Sequence, residues 1–342
     1  MRRRRGLLVA SIAIAVVTGG CASPATAESG TSDSPTVAWR AIRNPMLTDA
    51  RHVVKDQAVV SVAHRWHAVF SFADRAGRWR IGLRASPDLA HWSRVTTMPH
   101  DPEVAGEASP DVERAPDGRY VVAYQSFASD RAGARPKLYF RTTRDFVRFS
   151  APRRLAPELF AAPDERLIDP AVVWAPAGLL LGFKRGVDQQ QFELARSTSG
   201  TLRGPWELLG APDISVRGDT VENYQFLHLG GRWQLLATSN NGNQPVRFDL
   251  AGDAAIAAGW LHWGPARALA VPQEAWNRGA GLTGTDFEHA NCAYLVAGRR
   301  VAGWYYLTYS DAPEKRTFHG EGHAVVAIAR SRDLEHWAVP PH

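Results

Sequence analysis

Cysteine is scarce in this 342-residue chain, which holds only Cys21 and Cys292. That excludes the disulfide-dense frameworks that hold small secreted domains together. No uninterrupted apolar run reaches the roughly 18 residues that would cross a bilayer as a helix. An excess of one charge is also lacking where it would matter. The formal charge of +6 includes Arg2, Arg3, Arg4 and Arg5, and beyond residue 21 the excess falls to +2. A nearly neutral body has no electrostatic footprint for phosphates, so nucleic acid is not an expected partner. Helical periodicity is almost absent. With 45% hydrophobic and 22% charged residues, the chain has ordinary globular composition, which excludes disorder, collagen and coiled coil.

Residues 1–21 read as a signal peptide. Arg2 to Arg5 form a positive head, residues 6–17 are apolar but too short to span, and Thr18-Gly19-Gly20 precedes Cys21. Small residues directly before a cysteine resemble the signal of bacterial lipoproteins. The resemblance implies cleavage before Cys21, a lipid on its thiol and anchorage in a membrane. The expected location is extracytoplasmic, on the bacterial cell surface or secreted. Residues 22–36, rich in Ala, Ser, Thr and Pro, read as a flexible tether. Residues 37–342 read as one domain, expected to be a monomer. Once Cys21 is lipidated no intrachain disulfide is possible, so that domain depends on its core. Cys292, in an apolar run with no marked histidine partner, reads as a small buried hydrophobe.

The rest of the chain repeats. Ser86-Pro87-Asp88-Leu89-Ala90-His91-Trp92 recurs as Ser331-Arg332-Asp333-Leu334-Glu335-His336-Trp337, with a looser copy in Thr143-Arg144-Asp145-Phe146-Val147-Arg148-Phe149. Trp206 and Trp263 continue the aromatic series, giving steps of 57, 57, 57 and 74 residues. Each unit carries short β-rich runs separated by turn residues. Units of about four strands at this length are propeller blades, which close radially and leave few exposed edges. The predicted fold is therefore all-β, a single five-bladed β-propeller. Asp88, Asp145 and Asp333 are predicted to cap turn amides rather than to act in a site, and the aromatics to pack between blades.

Propeller sites lie on the central axis, where the innermost strand of each blade begins. The units open with Lys55-Asp56-Gln57, Ser109-Pro110-Asp111, Ile168-Asp169-Pro170, Val221-Glu222-Asn223 and Asp286-Phe287-Glu288-His289. Asp56, Asp111, Asp169 and Glu222 are expected at equivalent points of four blades. Acids converging on one axis repel one another, a cost that makes sense if they serve chemistry or hold a cation.

The blade order, Ile168-Asp169-Pro170 and the blade-end sequence from Arg330 to Trp337 resemble the five-bladed glycoside hydrolases of family 43. Lys55-Asp56-Gln57 followed by Trp66-His67-Ala68-Val69-Phe70 resembles the first blade of family 62. The resemblance implies that Asp56 is the general base, Glu222 the general acid and Asp169 a helper that orients Glu222 and raises its proton affinity. Where family 43 commonly has Glu-Gly-Pro, this chain has Glu222-Asn223-Tyr224. Asp111, Trp174, Tyr224, Phe287 and His289 are the expected substrate contacts. No cofactor is required, but His289 is a candidate ligand for a calcium ion in the central channel. The expected function is an inverting glycoside hydrolase on oligo- or polysaccharides containing arabinose or xylose, of the α-L-arabinofuranosidase or β-xylosidase type. The alternative is a non-catalytic carbohydrate-binding propeller lipoprotein. Inversion suits these residue types: one ionised carboxylate activates water and one protonated carboxyl donates to the leaving oxygen.

Overall fold

The structure is a computed structural model that describes residues 35–74, 76–127, 137–160, 165–186, 191–214, 216, 220–239, 244–277, 290–311 and 325–341. The chain divides into residues 1–32 and 33–342; Cys21 lies outside the described residues. The larger unit folds as five four-stranded antiparallel sheets, each built from consecutive strands. Blade 1 holds β1 (His52–Val62), β2 (Arg65–Asp74), β3 (Trp79–Ser86) and β4 (Thr96–Thr97). Blade 2 holds β5 (Gly106–Arg114), β6 (Tyr120–Phe127), β7 (Lys137–Thr143) and β8 (Arg153–Arg154). Blade 3 holds β9 (Leu167–Ala175), β10 (Gly178–Arg185), β11 (Gln191–Ser197) and β12 (Trp206–Gly210). Blade 4 holds β13 (Val221–Leu229), β14 (Arg232–Ser239), β15 (Gln244–Asp249) and β16 (Arg267–Ala268). Blade 5 holds β17 (Asn291–Leu295), β18 (Tyr305–Asp311), β19 (Val325–Ser331) and β20 (Trp337–Ala338). Two short 3-10 turns are the only helical segments among the described residues. The fold is the five-bladed β-propeller that the repeat predicts.

Strand periodicity explains the ring. Alternate residues of a strand face opposite sides of its sheet, so one blade can feed two interfaces. In blade 3, Val172, Leu179 and Leu181 pack toward blade 2, while Ala171, Val173 and Leu180 pack toward blade 4. The buried hydrophobic residues accordingly fall into five clusters, one for each pair of neighbouring blades. Blade 5 draws all its strands from the C-terminal part of the chain, so no shared sheet closes the ring. The segment before β1 reinforces that junction: Trp39, Ile42 and Leu47 are buried between blades 1 and 5, and Leu47 pairs with Val326.

The recurring corners are structural, as predicted. Asp88 Oδ1 accepts from the N–H groups of Ala90 and His91, Asp145 Oδ1 from Val147 and Arg148, and Asp333 Oδ1 from Glu335 and His336, all at 2.8–3.0 Å. The hydroxyl two residues earlier, on Ser86, Thr143 or Ser331, accepts from two further amides. The aromatics that follow start the return to the outer strand: Phe149 bridges Thr143, Trp206 pairs with Ser197, Trp263 bridges Leu250 and Trp337 pairs with Ser331.

Candidate active site

All five inner strands break register at the same place. The bulged pairs are Asp56–Gln57, Ser109–Pro110, Asp169–Pro170, Asn223–Tyr224 and Cys292–Ala293. The first residue of each pair lies in the left-handed region, with φ of 50, 49, 52, 53 and 50° in blade order. Positive φ strains a non-glycine residue and persists only where the surroundings over-determine it. Repeated five times, it is a property of the blade, and bulges re-aim side chains in this way next to active sites. These ten residues, with Asp111 and Tyr294, line a cavity on the axis.

The bulge corrects the expected equivalence of the four acids. Asp56 and Asp169 occupy the bulge itself, Glu222 stands one residue before it, and Asp111 follows it. The extra residue shifts the alternation of faces, which the sequence pattern alone does not reveal. In blades 2, 4 and 5 the position matching Asp56 holds Ser109, Asn223 and Cys292.

Asp56 is 7% exposed and held on both oxygens. Its Oδ2 accepts from Ser71 Oγ at 2.6 Å and from Ser109 Oγ at 3.4 Å, while Cys292 Sγ donates to Oδ1 at 2.9 Å. Asp169 is buried, and its carboxyl is pushed up to about 6, first by burial and next by the neighbouring Glu222 carboxylate, with Asp56 adding to the rise and Lys184 opposing it. Glu222 keeps 27% of its side chain exposed, and its Oε2 accepts from the buried Lys184 Nζ at 2.9 Å. Asp111 is pushed up to about 7 by burial although its Oδ2 accepts from Val172 N–H at 3.1 Å. Glu113, next on the same face of β5, is raised to about 8 by burial and then by Asp111.

The structure therefore brings Asp56, Asp111 and Asp169 to one cavity, with Glu222 close enough to bear on Asp169. Tyr224 lines the same cavity, but its ring packs on Phe192 at 4.1 Å and its hydroxyl donates to Val221 O at 2.6 Å. Trp174 does not join them. It pairs with Leu179 at the far end of β9 and packs on the core between blades 2 and 3. Five residues of strand separate it from Asp169, roughly 16 Å at the usual rise. Phe287 and His289 lie outside the described residues. Among the described residues no three His, Cys, Asp or Glu side chains converge to hold a metal.

Sequence reasoning missed Ser71, Ser109, Lys184 and the cavity-facing side of Cys292. Cys292 is buried, as expected, but it belongs to the cavity wall, where burial and then Asp56 raise its thiol far above the ordinary value. The available signals were a lone lysine after the apolar run 179–183 and the match of Asn291-Cys292 to the other blade openings.

Neither the family models nor the curated proteins match this sequence. Solved structures do. An α-L-arabinofuranosidase from Lactobacillus brevis superposes with a TM-score of 0.61 at 13% identity, over 88% of this chain and 98% of that one. A family 32 β-fructofuranosidase from Bombyx mori gives 0.58 at 16% identity, over 85% of this chain. A xylan β-1,4-xylosidase from Bacillus halodurans gives 0.56 at 15% identity, over 87% of this chain. The chain spans 64% of the length of the fructofuranosidase and 56% of that of the xylosidase. At these identities the likeness is one of fold: the chain has the propeller fold of glycoside hydrolases.

Proposed function

We propose that this protein is an inverting glycoside hydrolase acting on arabinose- or xylose-containing glycans, with its active site in the axial cavity. The observation that carries this reading is the gathering of Asp56, Asp169 and Glu222 from three blades. It costs electrostatic energy that a structural role would not demand. In this reading Asp56 orients and activates the attacking water. Ser71, Ser109 and Cys292 fix the carboxylate for that task. Glu222, more exposed than Asp169 beside it, delivers a proton to the leaving oxygen. Asp169 is the helper that orients Glu222, its own carboxyl raised by burial and then by Glu222. Structural neighbours that include an arabinofuranosidase and a xylosidase support the choice of sugars. Hydrolysis of nitrophenyl α-L-arabinofuranoside, nitrophenyl β-xyloside, arabinan and arabinoxylan, with the product anomer followed by NMR, tests it. Binding of such glycans without turnover supports the non-catalytic alternative, and a retained anomer removes inversion.

Residues 1–36 carry the proposal of location. Export, cleavage before Cys21 and lipidation of its thiol would tether the propeller outside the cytoplasm. Cys21→Ser should move the protein from the membrane to the soluble fraction. A wild type already soluble and processed elsewhere would remove the anchor.

A further inference from the structure

The five bulges are tied together by a ring of contacts that runs one way around the propeller. In each blade the second-strand residue paired just before the bulge reaches the next blade. Ser71 Oγ accepts from Ser109 N–H at 2.7 Å, Gln125 Oε1 from Asp169 N–H at 3.0 Å, and Thr238 Oγ1 from Cys292 N–H at 3.0 Å. Ser310 Oγ donates to Gln57 Oε1 at 2.9 Å and closes the circle. Four of the five linkers are thus neutral, and all four are buried. The fifth, on β10, is Lys184. It is 1% exposed and, having no acceptor to offer a backbone amide, it meets the Glu222 carboxylate instead.

We propose that Lys184 is a positioning residue of the active site, which holds Glu222 across the boundary between blades 3 and 4 and presents a fixed positive charge beside the acids of the cavity. The proposal rests on the hydrolase reading above. A serine, threonine or glutamine suffices to join blades elsewhere in the ring. A buried ammonium costs much more to desolvate, so its charge is what distinguishes this linker. Among the described residues, Glu222 meets Lys184 from β10 and bears on Asp169 from β9, Cys292 from β17 and Tyr224 from its own strand. Asp56 on β1 acts on Asp169. Cys292 and Tyr224 stay neutral, raised well above their ordinary values by burial first and by neighbouring carboxylates after it. Lys184 is the cation that opposes the rise of Asp169. Without it, Asp169 would keep its proton to higher pH.

The test is the pH dependence of kcat/KM on a glycoside with a poor leaving group. Lys184→Met, uncharged and of similar length, should move the basic limb up by about one to three units and lower kcat at the optimum. Lys184→Arg should leave the limb near its wild-type position even if activity falls. Loss of activity in Lys184→Met with the basic limb unmoved would mean that the lysine is structural only and would overturn the proposal. A second measurement needs no turnover. In carboxyl-carbon NMR, Asp169 should titrate at least one unit higher in Lys184→Met than in the wild type, because the ammonium that opposes its rise is gone. An unmoved or lowered midpoint would also overturn the proposal. A wild type inactive on every glycoside removes the hydrolase reading but not the titration, so the two failures can be told apart.

Discussion

The corners and the axis of this propeller use the same residue type in opposite ways. At the corners, backbone amides surround the acid. Asp145 is lowered to about 2, first by the N–H of Arg148 and then by that of Val147. Asp333 is lowered chiefly by the N–H of His336. In Asp88 burial pushes upward and is outweighed by His91 and the amides of His91 and Ala90. At the axis the amides are largely spent in the ladders. Asp169 and Asp111, deprived of water, rise to about 6 and about 7. Repetition alone therefore does not separate a structural acid from a chemical one. What separates Asp145 and Asp333 from Asp169 and Asp111 is whether the donors that the fold supplies outweigh the loss of water.

The sharpest way to break this comparison is at Asp56. Asp56→Asn should lose activity by roughly 10²- to 10⁴-fold whatever the leaving group, because water must be activated in every case. Retained activity would leave the axial acids with no chemistry to explain them. Glu222→Ala should lose a similar factor on a natural oligosaccharide, whose departing alkoxide needs a proton, and far less on a dinitrophenyl glycoside, whose phenolate does not. Equal losses on both substrates would remove Glu222 as the donor.

The two regions also predict opposite dependences of stability on pH. Asp111 rises from 3.8 to about 7 and Glu113 from 4.5 to about 8 on folding. A carboxyl raised in the folded state keeps its full stability below the unfolded value and loses it as pH climbs through the folded one. Stability should therefore fall between about pH 4 and pH 8. Asp111→Asn removes that charge but keeps an acceptor for Val172 N–H. It should match the wild type at pH 4 and exceed it at pH 8.5 by of the order of 2–4 kcal/mol, as read by denaturant unfolding. A wild type that gains stability with rising pH would show instead that Asp111 is ionised and paired in the channel.

How much of this was legible in the sequence follows from where each contact comes from. The blade count needed only the spacing of Trp92, Phe149, Trp206, Trp263 and Trp337, because each aromatic is placed by its own blade. Asp56 and Asp169 were legible because each opens an inner strand. The bulge that sets them apart from Glu222 and Asp111 was not, since inserting one residue leaves the apolar pattern looking intact. Ser71 and Lys184 were hidden for a different reason: they lie on second strands and act on the next blade, a relation that no local pattern encodes. Trp174 misled because proximity in sequence to Asp169 is distance along an extended strand.

The smallest effect expected is at the corner, and it completes the comparison. Asp88 Oδ1 accepts two backbone amides while Oδ2 meets His91 Nδ1 at 2.7 Å on an exposed edge. Asp88→Ala leaves those amides to water, a loss resembling that of a helix cap, about 1 kcal/mol. In a domain of this size that is a fall in Tm of about 2 °C. The corner stands at the outer end of β3, two strands removed from β1 and Asp56, so kcat/KM and its pH profile should not change. Asp88→Asn, which keeps the accepting oxygen, should recover most of the lost stability. If instead Asp88→Ala cut turnover as deeply as Asp56→Asn, the division between corner and axis would fail, and the repeated acids would need one common explanation.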